Sequence, residues 1–321
     1  MIALWGVAAW HRLKVLNETV IGSDSLGPYL QAQAALFGHM PRPPNPESGD
    51  ALWVSMLPLI GIADTLSDLF ALRFIVGALI APIGFAAAYH WIAPTEKPSR
   101  RWSAGLMAGV FLAFDPGLLD TLVSGARSYG APELIGLTTL CLAMSIRQYP
   151  WAPAVGVIAF VAAMGHHPLA AGMALGGVVI LPSLHRQVGG RRFKWALIVG
   201  ALACIPRLLR MAAIANCGES FQSCLRQVAQ SNIVEPEQWN SLIAKAVHDR
   251  WLVDLDVTGW IILAGILSLL LCSDKDHRKA AYWAMIGCIG ILCIGVLNGY
   301  IRSYHLRITA VPIAVAAAMG L

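Results

Sequence analysis

The 321-residue sequence predicts an all-α, polytopic transmembrane bundle of about ten spans, forming a single integral membrane domain over residues 1–321. Three observations predict it. Composition is the first: 57% of residues are apolar, 13% are charged, and mean hydropathy is +0.63. A soluble domain carries about a quarter charged residues, and one core of this size cannot bury so much apolar surface in water. The second is segmentation. Apolar runs fall at roughly 1–10, 69–92, 102–114, 131–146, 151–165, 168–182, 195–214, 258–272, 280–297 and 308–321. The third is charge, which alternates in character between the segments joining those runs. The same composition excludes a disordered chain, a collagen-like chain and a small disulfide scaffold.

Several runs fall short of the roughly 17–25 residues of a spanning helix, so helix ends extend into polar flanks or the bilayer is locally thin. The opening stretch MIALWGVAAW has no basic n-region and no small-residue cleavage site, and reads as a mature membrane segment rather than a signal peptide. It is half a span: either a short opening helix, or a segment whose true start lies upstream. Residues 151–182 fit one long helix or two short ones. Two are expected, turning at Gly165-His166-His167-Pro168, because proline cannot continue the hydrogen-bond ladder and because two helices keep the flanking basic loops on one side.

Short alternate loops hold Lys97, Arg100 and Arg101; Arg147; Arg186, Arg191, Arg192 and Lys194; then Lys275, Arg278 and Lys279. The positive-inside rule makes these cytoplasmic. The other loops are longer and hold 14 of the 18 acids. Both termini inside satisfies the pattern. Two large outside segments result. Residues 11–68 include the Pro/Gly-rich loop HMPRPPNPESGD. Residues 215–257 carry Trp239, Leu242, Ile243, Ala246, Val247 and Trp251 at helical spacing, which fits an amphipathic surface helix or a helix packed on the spans. Cys217 and Cys224 both fall outside, as a disulfide or as two thiols. Asn17-Glu18-Thr19 matches a glycosylation sequon. The net charge of +5 includes no long basic tract, so no nucleic-acid partner is expected. Seven Cys without CxxC or Cys/His spacing indicate no zinc or redox motif.

Polar residues that could carry chemistry collect near the outer edge. Ile21-Gly22-Ser23-Asp24-Ser25-Leu26-Gly27 puts an acid just beyond the first span, with glycines that let a ligand approach the backbone. Asp24 could accept a proton from a hydroxyl, hold a divalent cation, or share with Ser23 and Ser25 the N-cap of a helix over 30–37. Asp115 and Asp120 lie in the second outside loop, followed by Arg127, Ser128 and Tyr129. They line a site or anchor headgroups, and Asp115-Pro116 is also a turn signal. His166 and His167 diverge as neighbours and make a poor metal pair. One of them donates to a phosphate, or they are turn residues. Arg302, Tyr304, His305 and Arg307 form the last polar island, where arginine's planar fork fits phosphate oxygens; headgroup snorkelling is the alternative. Arg73, Arg207 and Arg210 lie in or near apolar runs, where a charge calls for a partner or a cavity. No metal-ligating set stands out.

The order of these features resembles the GT-C superfamily of polytopic glycosyltransferases. Its members include protein O-mannosyltransferases (glycosyltransferase family 39), oligosaccharyltransferases and aminoarabinose transferases. The similarity runs from the Asp24 loop, through Ala71-Leu72-Arg73, Phe114-Asp115-Pro116, Ala126-Arg127-Ser128-Tyr129 and the His-Pro turn, to Tyr304-His305-Leu306-Arg307 before a Pro-bearing span. It implies an extracytoplasmic active site in a bacterial inner membrane and a polyprenyl-phosphate-linked sugar donor. By the same resemblance Asp24 is the base or helps to hold a cation (Mg or Mn). Asp115 or Asp120 is a second acid, and Arg302 or Arg307, with His305 nearby, binds the lipid phosphate. Two features depart from the pattern. Ser25 follows Asp24 where many members carry a second acid, and the C-terminal outside domain of many members is missing. A short member, a truncated chain and an inactive relative all fit. The rival readings are a transporter or flippase for a lipid or small solute, and a non-catalytic membrane subunit.

Overall fold

The computed structural model describes residues 1–16, 62, 63, 65–115, 118, 130–214, 241, 257–272, 274–297 and 303–321, with side chains for all of these but 66, 206–214, 257–262 and 303–305. Every regular element among the described residues is helical. In chain order they are α1 (Ile2–Leu13), α2 (Leu66–Gly77), α3 (Ile80–Trp91), α4 (Pro98–Phe114), α5 (Ala131–Ile146), α6 (Ala152–His166), α7 (Met173–Val188), α8 (Gly190–Ile214), α9 (Val257–Leu271), α10 (Lys275–Leu297) and α11 (Ala310–Gly320). Single 3-10 segments, Pro168–Gly172 and Ser303–Thr309, lead into α7 and α11.

Local chemistry sets the boundaries. Thr65 and Asp68 form a reciprocal capping box that opens α2: Asp68 N donates to Thr65 Oγ1 at 3.1 Å, and Thr65 N donates to Asp68 Oδ2 at 3.0 Å. Helices α4, α5 and α6 each carry proline in the first turn, where its missing N–H costs nothing. The expected break between α6 and α7 is present. His167 is extended at φ −148, and Pro168 follows it.

The apolar runs read from the sequence all fall on helices. Among the described residues three segments are long and apolar enough to cross a membrane: Ser67–Trp91, Pro168–Val188 and Lys275–Leu297. Ala131–Ile146, Ala152–His166 and Leu306–Gly320 are apolar but shorter. At 1.5 Å per residue a 16-residue helix reaches about 24 Å, less than the roughly 30 Å hydrocarbon layer.

Small residues fill much of the core, beside large ones such as Trp91, Phe74, Ile80 and Ile135. Ala78, Ala81, Ala87, Ala88, Ala108, Ala143, Ala163, Ala281, Ala284, Ala316 and Ala317 are wholly buried. Large apolar side chains, among them Leu106, Val178, Trp195, Leu202, Leu271 and Ile289, face outward. Small buried residues with large apolar side chains on the outside are consistent with helices that approach closely in lipid. The backbones of Gly172 and Gly290 touch, joining the Pro168–Gly172 segment to α10. The buried Trp283 donates through Nε1 to Thr139 Oγ1 at 3.0 Å, so its one polar atom is satisfied.

The basic loops meet at one end of the bundle. Arg147 donates through Nε to the carbonyl of His90 at 3.1 Å and through Nη2 to that of Trp91, closing the exposed C-terminus of α3. Trp91 Nε1 donates to the Asp276 carbonyl at 2.9 Å, Arg192 Nη1 to that of Gln148 at 3.4 Å, and Lys279 Nζ to Gln187 Oε1 at 3.3 Å. The Arg147–Gln148 loop and the start of α8, with Arg191, Arg192 and Lys194, are therefore on the same side, as two helices over 151–182 require. Burial holds the Arg147 guanidinium below its usual value, with Asp276 and Asp274 acting in the opposite sense. Ring contacts run round this end from Trp102 to Tyr89, His90, Tyr149 and Trp151, with centroids 5.5–6.3 Å apart.

Replacing Arg147 by Met leaves two partly buried carbonyls without their donor. The expected loss is about 1–2 kcal/mol, read as a lowered thermal midpoint in detergent. Changing the exposed Arg186 to Gln should stay within about 0.5 kcal/mol.

Candidate functional site

The opposite end gathers the ends of α1, α4 and α6, the start of α5 and the approach to α11. Asp115 closes α4. Its Oδ1 accepts the Leu118 amide at 3.1 Å, as the turn signal Asp-Pro requires, and also Arg307 Nη1 at 3.0 Å. The two side chains are 192 positions apart in sequence and about one-fifth exposed. Of the expected outer-edge residues, these two are brought together.

His166 and His167 are both buried, at 7% and 3% exposure. His166 packs against Gly130, where a Cβ would lie 2.8 Å from its Nδ1. Gly130 also adopts φ +87 at the start of α5, so glycine is favoured twice over. His167 Nδ1 accepts the Leu169 amide at 3.3 Å and so caps the 3-10 turn. That is the turn role, for this histidine.

A second ion pair was not anticipated as part of the site. Arg12, 2% exposed at the end of α1, lies with Nη1 3.7 Å from Glu133 Oε1 in the first turn of α5. Gly77 leaves the space for it: a Cβ there would sit 2.6 Å from Arg12 Nη1 and 3.1 Å from Glu133 Oε1. One ring contact, His11 to Phe114 at 5.1 Å, joins this pair's helix to the end of α4. The signal was legible in principle, as a lone acid in an otherwise apolar run.

Asp24, Asp120, Arg127, Tyr129 and Arg302 lie outside the described residues, as do Cys217, Cys224, Asn17 and the 239–251 stripe apart from Ser241. Tyr304 and His305 are placed in the Ser303–Thr309 turn by their backbones only. Among the described residues no group of three His, Cys, Asp or Glu could hold a metal ion. The described acids here, Asp115 and Glu133, each face an arginine, a donor set that does not fit a Mg or Mn ion.

Chemically, the end offers two carboxylates, two guanidiniums and two buried imidazoles in an apolar frame. The two guanidiniums are each matched by a carboxylate, so the described charges at this end balance. Comparisons with protein-family models, with curated proteins and with solved structures find no match to this chain.

Proposed function

We propose that the chain is an integral membrane protein of about ten spans whose polar end faces away from the cytoplasm of a bacterial inner membrane. There it transfers a sugar from a polyprenyl-phosphate donor to an acceptor hydroxyl, in the manner of GT-C glycosyltransferases. The observation that carries the reading is the Asp115–Arg307 pair, which brings a carboxylate of the second outside loop to the late basic island. A transporter would want polar groups free within the bundle, whereas the hydroxyls of α5 are engaged. Thr138, Thr139 and Ser145 return their hydroxyl hydrogens to carbonyls of their own helix.

In the proposed reaction Asp24 takes the acceptor's proton as its oxygen attacks the anomeric carbon. The transition state has oxocarbenium character, and one displacement inverts the centre. Arg307 stabilises the departing lipid phosphate, and Asp115 holds Arg307 in place between turnovers. His305 and Arg302 come from the same island.

The test is transfer by the purified protein from polyprenyl-phosphate sugars, comparing wild type with Asp24→Ala. The expected result is a large fall in turnover with donor binding kept. Normal turnover in Asp24→Ala removes Asp24 as base. No transfer from any such donor by the wild type rejects the transferase and leaves the membrane-subunit reading.

A further inference from the structure

The junction of α9 and α10 holds three side chains that sugar transfer leaves unused: Cys272 and Asp274 between the helices and His277 in the first turn of α10. Cys272 Sγ lies 4.0 Å from His277 Nδ1, and Asp274 Oδ2 lies 3.6 Å from His277 Nε2. The acid is fixed as the cap of α10, its Oδ1 accepting the amides of Asp276 at 2.7 Å and His277 at 3.4 Å. The His277 ring is 1% exposed, and its buried Nε2 has no hydrogen-bond partner closer than that carboxylate. A carboxylate beside Nε2 favours the tautomer protonated there, which turns a bare Nδ1 toward the thiol.

Access and setting point the same way. Cys272 is half-buried, whereas Cys141 and Cys288 are buried. Leu271 beside it is 88% exposed, so the loop stands at the apolar rim of the bundle. Lys275 and Arg278 follow within six residues, while Lys279 is paired with Asp276; Arg100 and Arg147, with Glu96, also act on His277. An apolar rim with basic residues suits a ligand having a fatty chain and a phosphorylated carrier.

We propose that Cys272 is an S-acylation site, served by His277 as base and Asp274 as the group that orients it, and that its donor is a long-chain acyl thioester of a phosphorylated carrier. The thiol proton passes to His277 Nδ1 while sulfur attacks the acyl carbon. The new carbon–sulfur bond forms, the donor's carbon–sulfur bond breaks, and the departing thiolate takes up the proton. No oxidant or further reactant enters.

The full chain, purified in detergent, is incubated with palmitoyl-CoA, and adducts are mapped by peptide mass spectrometry with and without neutral hydroxylamine. The expected result is a hydroxylamine-labile palmitoyl group on Cys272, absent in Cys272→Ser. His277→Gln should slow it at least about tenfold. Asp274→Asn, which keeps a helix cap, should slow it severalfold. Thermal unfolding checks each variant. If His277→Gln does not fold, the wild-type rate at Cys272 against that at exposed Cys293 decides. Equal rates at the two cysteines, or a folded His277→Gln protein acylating at the wild-type rate, overturns the proposal.

Discussion

A Gly290→Val protein is expected to lose more than about 3 kcal/mol of stability, at or beyond the upper end of what added bulk costs in a filled core. The reason is the neighbour. A Cβ at position 290 meets the backbone carbonyl of Gly172, and one at Gly172 meets the backbone of Gly290 and Ile291. Neither contact is the far end of a side chain that can swing aside, so α10 must move off the Pro168–Gly172 segment. That segment follows His167, so the strain reaches the histidines. Thermal unfolding in detergent measures the loss. Gly6→Ala is the counter-case: nothing lies within 4 Å of its would-be Cβ, and alanine in a helix should gain about 0.5–1 kcal/mol. A Gly290→Val protein that melts with the wild type would show that the helices are not in backbone contact.

Arg307→Gln is expected to lower kcat of the proposed transfer by about a hundredfold to a thousandfold, the usual scale for removing one donor to a developing charge. Glutamine can still reach Asp115 but brings no positive charge to a departing phosphate. Asp115→Asn separates two roles for the acid. If Asp115 only holds the arginine, its loss frees Arg307 for the donor, so the donor KM falls while kcat changes little. If it takes part in chemistry, kcat falls as well. An Arg307→Gln protein with unchanged kcat and KM would remove the guanidinium from the reaction. Stability is a separate readout, because the pair is only partly buried and its loss should matter less than that of a fully enclosed one.

Helix type and position were readable because apolar runs, proline at first turns and the His-Pro break are local signals. Residues 131–146 and 152–166 follow the runs almost residue for residue. Spanning length was less readable. Runs such as 102–114 extend into polar flanks as Pro98–Phe114, yet several helices still stop short. The Asp115–Arg307 meeting could be anticipated only as a shared membrane edge, since no spacing rule connects positions 192 apart. The Arg12–Glu133 pair was missed because its permissive residue, Gly77, is a glycine inside a third helix, and a vacancy for a distant side chain leaves no periodic trace. Cys272, Asp274 and His277 were missed for a simpler reason. Their spacing matches no metal or redox pattern, and only the tight turn into α10 brings the thiol to the ring.

The ring-to-ring girdle from Trp102 to Trp151 acts as a float line. Indole and phenol groups prefer the headgroup layer to either water or hydrocarbon, so in a bilayer this row of rings, with His90 between the two tyrosines, would set how deep the helices ride. Helix α5 runs from just before the Tyr149 ring to Glu133 in its first turn, so under the proposed membrane placement the acid-and-arginine end would keep a fixed height above that row. A substrate tethered by a lipid tail also presents its reactive carbon at one altitude, and the two heights can then coincide without any hinge.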